Sequence, residues 1–114
     1  MKTKNFALTI IVSNRKTNRQ IVVADIIRIE ARGNDIALHL KVGQPCLDSR
    51  TLKGFLKLLN PDLFFLVHRS HIVNRNFIDE WNNGQGGELK LLDGSRIPIA
   101  VRGKSKFVKW VKQK

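Results

Sequence analysis

Four polar residues in succession, His68-Arg69-Ser70-His71, interrupt an apolar run and form the densest group of chemically capable side chains in the sequence. Two histidines at that spacing raise metal binding first. A metal site needs three or four converging ligands, and in a strand-like run His68 and His71 point to opposite faces. Neither a metal nor another cofactor is expected. Cys46 beside the chain's three histidines raises a thiol nucleophile. A lone cysteine in the turn Gly43-Gln44-Pro45-Cys46-Leu47 is ordinarily an inert surface or packing residue. There is no Gly-x-Ser-x-Gly elbow, no glycine-rich phosphate cradle and no pair of acids in an apolar setting. The chain is not expected to be an enzyme.

Charge points elsewhere. The 114 residues carry 21 Lys+Arg against 9 Asp+Glu, a formal net charge of +12. Such an excess attracts phosphate backbones, anionic membranes or acidic proteins. It is concentrated toward the end: from Leu89 to Lys114 there are eight basic residues and one acid, Asp93, a net of +7, against +5 for the preceding 88 residues. A solvated basic face that serves only solubility is the alternative, and the uneven distribution weakens it.

The elements that must position these groups are mostly strands. Phe6–Val12 and Gln20–Val23 are rich in β-branched residues and are separated by the polar run 13–19. Asp25–Ala31 alternates, with Ile27 and Ile29 on one face and Arg28 and Glu30 on the other. Arg32-Gly33-Asn34-Asp35 is a turn into a second alternating strand, Ile36–Leu40, which makes a hairpin. One helix is predicted near 49–59, capped by Asp48 or Ser49, with Leu52, Phe55, Leu56 and Leu59 on one face and Asn60-Pro61 ending it. Leu63–Val67 suits a buried strand, and Ile72-Val73 and Phe77-Ile78 continue strand-like. Residues 82–87 form a loop. Glu88–Leu92 and Arg96–Ile99 flank the tight-turn pair Asp93-Gly94, and Pro98 confines its strand to an edge or an end. The tail from Lys104 forms a short helix with Phe107, Trp110 and Val111 on one face.

This length suits one domain spanning residues 1–114, large enough to bury a core without staples. A single cysteine excludes an internal disulfide and fits a reducing, cytoplasmic setting. The longest largely apolar stretch, Phe6–Val12, is far below the roughly 20 residues that span a bilayer. It lacks a small-residue cleavage site, so a first strand is expected there rather than a signal peptide. No membrane association is expected. A helix-turn-helix needs two adjacent helices, and the predicted helix runs into a strand. An RNA-recognition motif needs exposed strand aromatics that are missing. If duplex nucleic acid is bound, loops or strands must do it.

The segment Phe65-Leu66-Val67-His68-Arg69-Ser70-His71-Ile72-Val73-Asn74 resembles the signature of the LytTR DNA-binding domain family of bacterial transcription regulators. Its surroundings match in order: Val23–Ala31 upstream, a Leu-rich helix, and Leu91–Ile99 followed by a basic helical tail. The resemblance runs from about residue 6 to 112. It implies a mostly β fold of elongated antiparallel sheets, with the central helix near 49–59 and a short C-terminal helix. It implies sequence-specific double-stranded DNA binding by loops that enter successive major grooves, usually at direct repeats and with bending. The chain would be a monomer in solution that pairs on DNA, acting as a transcription regulator or as the DNA-binding domain of a response regulator. Family members usually carry a receiver or membrane sensor domain in front, so the chain is either a stand-alone regulator or one part of a longer protein.

The three loops implied lie at 32–35, 68–70 and 100–104. Asn34, Arg69 and Arg102 are expected to face base edges, with Arg32, His68, Ser70 and Lys104 positioned nearer the phosphates. Arginine's fork suits O6 and N7 of guanine, and Asn34 suits adenine. Some have a plainer alternative: Asn34 a left-handed turn residue, Arg69 a surface ion pair, and His68, like Asn74, a partner for backbone groups at the bend. Family members often place Ser-Arg and then an aromatic after the Ile-Pro-Ile strand, where this chain has Ala100-Val101-Arg102-Gly103. The serine is absent and the arginine is displaced by one position, which leaves the register of the third loop open. The rival function is a protein-interaction module of the same fold that modulates another regulator, with residues 82–87 or the Ile27–Ile29 region as its interface.

Overall fold

The computed structural model describes residues 6–82 and 87–113. The strands are β1 (Thr9–Ser13), β2 (Asn18–Val22), β3 (Ile26–Arg32), β4 (Asp35–Leu40), β5 (Cys46–Asp48), β6 (Phe64–His68), β7 (His71–Asn74), β8 (Ile78–Trp81), β9 (Glu88–Leu91) and β10 (Arg96–Pro98). Two α-helices, α1 (Leu52–Leu56) and α2 (Lys104–Lys112), complete the regular structure together with single 3-10 turns at 23–25, 75–77 and 101–103. The centre is a five-stranded antiparallel sheet in the order β5-β4-β3-β7-β6. The β1-β2 hairpin and the three-stranded sheet β10-β9-β8 flank it.

The central sheet is covered on both faces, which explains why its strands mix alternating and continuous apolar runs. One core gathers Ile26, Ile29, Ile36, Leu38 and Ile72 with Val12, Ile21, Phe55 and Leu59 from the first hairpin and the α1 region. The other gathers Ile27, Val67 and Val73 with Leu89, Leu91, Ile97, Phe107 and Trp110 from the second sheet and α2. Ile27 and Ile29 therefore face opposite cores, contrary to simple alternation. A register shift between Ile26 and Arg28 inserts the extra residue responsible.

Three further expectations are corrected. The central helix is shorter than 49–59: Leu52–Leu56, followed by turns. Its cap is neither Asp48 nor Ser49 but Thr51, whose Oγ1 accepts from Gly54 N at 3.0 Å. Asp48 is instead buried at the end of β5, where its carboxylate accepts from Ser13 N, Arg50 N and the Arg50 guanidinium at 2.7–3.1 Å. Cys46, expected in a turn, starts β5, and its sulfur accepts from Arg19 Nη1 at 3.0 Å. Of the loop expected at 82–87, residues 83–86 lie outside the described residues.

Helix α2 buries Phe107 and Trp110 and leaves Lys106, Lys109 and Lys112 exposed. It is anchored by Trp110 Nε1 donating to the Pro61 carbonyl at 2.8 Å and by the Arg75 guanidinium 4.8 Å from the indole centroid. Arg75 also donates to the Trp110 and Gln113 carbonyls, which closes the end of the helix.

Candidate nucleic-acid interface

Strands β3 and β4 pair as far as Arg32↔Asp35, which leaves Gly33-Asn34 as a two-residue turn. Gly33 has φ +60°, and no non-glycine residue among those described has positive φ. That combination is a II′ hairpin turn, whose twist matches the strands. Gly33 thus takes the left-handed position, and Asn34 is exposed at the tip with no side-chain partner among the described residues.

The second turn is Arg69-Ser70, between His68 and His71, which pair directly across β6 and β7. The two imidazoles share a face, with ring centroids 5.5 Å apart, rather than pointing to opposite sides. The chain reverses between them, so strand alternation does not apply. His68 Nδ1 accepts from Ser70 N at 3.2 Å, which fixes the local geometry of the turn. Arg69 is exposed, and no described acid pairs with it. Asn74, fully buried, donates to the Ile26 carbonyl at 2.8 Å and accepts from Asn76 N at 2.9 Å.

Two backbone bonds bring the loops together. Ala31 N donates to Ser70 O at 2.9 Å, and Ala100 N donates to Val67 O at 2.9 Å. The hairpin turn, the Arg69-Ser70 turn and the start of the 100–104 segment thereby meet at one end of the central sheet. In the third segment Val101–Gly103 is a 3-10 turn leading into α2. Arg102 is exposed with no partner among the described residues. Lys104 is only half-buried and is turned toward β8, its Nζ donating to Asn82 O at 2.6 Å. Arg32, Asn34, Arg69, Ser70 and Arg102 thus belong to the joined loops, whereas the Lys104 ammonium is engaged to one side.

Beneath the turns lies a polar cluster that simple motif reading does not identify. Glu30 Oε1 bonds to His39 Nε2 at 2.7 Å and to Arg32 Nη2 at 3.2 Å, and its Oε2 is 3.6 Å from Arg28 Nη1. Burial pushes the Glu30 carboxyl up, but the His39 bond and the neighbouring cations outweigh it and hold the group below its ordinary range. His71 is directly across the sheet from Glu30. Burial, together with nearby His68, Arg28 and His39, lowers its pKa against the pull of Glu30. The expected alternation of Arg28 and Glu30 was the available signal; the partners His39 and His71 come from other strands.

The turns that carry Arg32, Arg69 and Arg102 thus gather at one end of the central sheet of an antiparallel β domain. Residues 16–112 match the LytTr DNA-binding domain family, and the chain belongs to that family. Among solved structures, the LytTr DNA-binding domain of a protein described as a methyl-accepting/DNA response regulator from Bacillus cereus superposes with TM-score 0.82. It is 21% identical in sequence, and the match covers 94% of this chain and 99% of that one. No curated protein matches in sequence. No helix among the described residues is long and apolar enough to cross a membrane.

Proposed function

We propose that the chain is a sequence-specific double-stranded DNA-binding domain that works in bacterial transcription regulation, alone or as the output part of a response regulator. The carrying observation is that two backbone hydrogen bonds join three loops at one sheet end, with Asn34, Arg69 and Arg102 exposed and unengaged by described residues. Exposed guanidinium groups lacking an acid are available for base edges, where a bidentate contact to guanine discriminates by about 1–3 kcal/mol.

In this reading Asn34, Arg69 and Arg102 face base edges in successive major grooves. Arg32 and Ser70 contact phosphates, Lys104 does so only by leaving the Asn82 carbonyl, and His68 holds the Ser70 amide. The lysines of α2 add counterion-release affinity without sequence information. The domain acts as one unit in the cytoplasm, with two monomers pairing on direct repeats; where it is the output part of a response regulator, a receiver or sensor domain supplies the signal.

Selection from a pool of random duplex DNA tests this. The expected outcome is enrichment of a motif repeated in direct orientation. If nothing enriches and all affinity disappears at modest salt, the charge serves only nonspecific attraction, and an interaction module for another regulator becomes the better account.

A further inference from the structure

An anion beneath a DNA-contacting surface opposes binding unless it has another task. Glu30 is such an anion. It lies in β3 two residues before the Arg32 end of the hairpin, with its side chain 19% exposed. It bonds the exposed Arg32 through one guanidinium nitrogen, Nη2, and no described acid besides Glu30 pairs with that guanidinium. The other two side chains that ion-pair with it, Arg28 and His39, are only 15% and 16% exposed. Arg32, by contrast, is 58% exposed, so it is the member of the cluster that can reach a phosphate while still held. An arginine fork offers five N–H groups, and a carboxylate on one side leaves the rest aimed in a fixed direction.

We propose that Glu30 is a specificity-determining residue that acts by positioning Arg32, confining its guanidinium to the direction used in the specific complex. The proposal rests on the DNA-binding reading above. In a specific complex the base contacts fix the register, so a freed arginine gains only if a phosphate happens to lie within its swing. In nonspecific binding the protein can shift until each free cation finds a phosphate. Releasing Arg32 therefore strengthens nonspecific binding more than specific binding, and the ratio between them falls.

The test compares wild type, Glu30→Gln, Arg32→Ala and Glu30→Gln/Arg32→Ala on the selected site and on random duplex, all at one pH. Glu30→Gln is expected to lower the specific-to-nonspecific ratio and to add about one phosphate contact to nonspecific binding. That contact steepens the salt slope by about 0.9, an extra loss of about 3.5-fold between 50 and 200 mM. Glu30→Gln placed on Arg32→Ala is expected to change neither quantity, which a merely structural role for Glu30 does not predict. Arg32→Lys keeps the charge but lacks the fork, and it is expected to keep the slope while lowering the ratio; it serves if Glu30→Gln does not fold. An unchanged ratio in a folded Glu30→Gln or in Arg32→Lys overturns the inference, as does an effect of Glu30→Gln that persists without Arg32. If wild type selects no site, the DNA reading fails and this inference falls with it. If wild type selects a site and the ratio holds in the variants, only this inference fails.

Discussion

The amide of Ala31 donates to the carbonyl of Ser70 at 2.9 Å, and that bond sets the β3-β4 turn beside the β6-β7 turn. Glu30 and His71, the flanking residues, are cross-strand partners, so the two turns cannot slide without breaking the ladder. The conformation of each turn thus matters to the other.

Gly33 gives the first prediction. Its φ of +60° suits glycine, and an added Cβ meets no atom within 4 Å. Gly33→Ala is then destabilising through the backbone alone, by about 1–2 kcal/mol. Thermal melting should fall by about 4 °C per kcal/mol, and an unchanged melt would contradict the II′ assignment.

Asp48 gives a pH dependence. Burial raises its pKa, but the bonds from Arg50 and Ser13 prevail and hold it below the ordinary value of 3.8. A depressed carboxyl contributes stability above its unfolded pKa, and that contribution is lost as pH falls through the folded value. Asp48→Asn should lower stability by about 2–3 kcal/mol at neutral pH and flatten the acid limb of a denaturation series below about pH 4.

His71 acts in a higher window. Its folded pKa lies below 6.5, chiefly from burial, so the unfolded chain takes up the proton first. Stability should decline as pH falls from 7 through about 6.5 and on toward the folded value. Urea denaturation at a series of pH values checks this, and His71→Gln should flatten that part of the curve.

Phe107, fully buried against Phe65, Trp81 and Trp110, fixes α2 to the second core. Phe107→Ala should be destabilising by about 3–5 kcal/mol, measurable by denaturant unfolding. A loss under 1 kcal/mol would mean that α2 docks by other contacts.

Much of the scaffold was legible because its signals are local. Alternation marked β4, Asp93-Gly94 marked the last hairpin, and Phe107 and Trp110 marked the buried face of α2. The family resemblance rested on the same few segments. What local pattern could not supply were long-range consequences. The bulge that sends Ile27 and Ile29 to different cores depends on the partner strands. The short β5 exists because Ile36–Leu38 offer it a ladder, despite Pro45 beside it. The candidate site was visible as Arg69 and its neighbours, but the Glu30 cluster was not: its histidine partners come from β4 and β7, far apart in sequence.

The most direct measurement is competitive binding of wild type, Arg69→Ala and Lys109→Ala to the selected site and its single-position variants, at two salt concentrations. Arg69→Ala should relax preference at one position, by about 1–3 kcal/mol, while keeping most of the salt slope. Lys109→Ala should weaken all sequences alike and reduce the slope by about 0.9. If Arg69→Ala instead weakens every sequence equally and leaves the preference intact, the turn between His68 and His71 does not read bases, and Arg69 is only a phosphate contact.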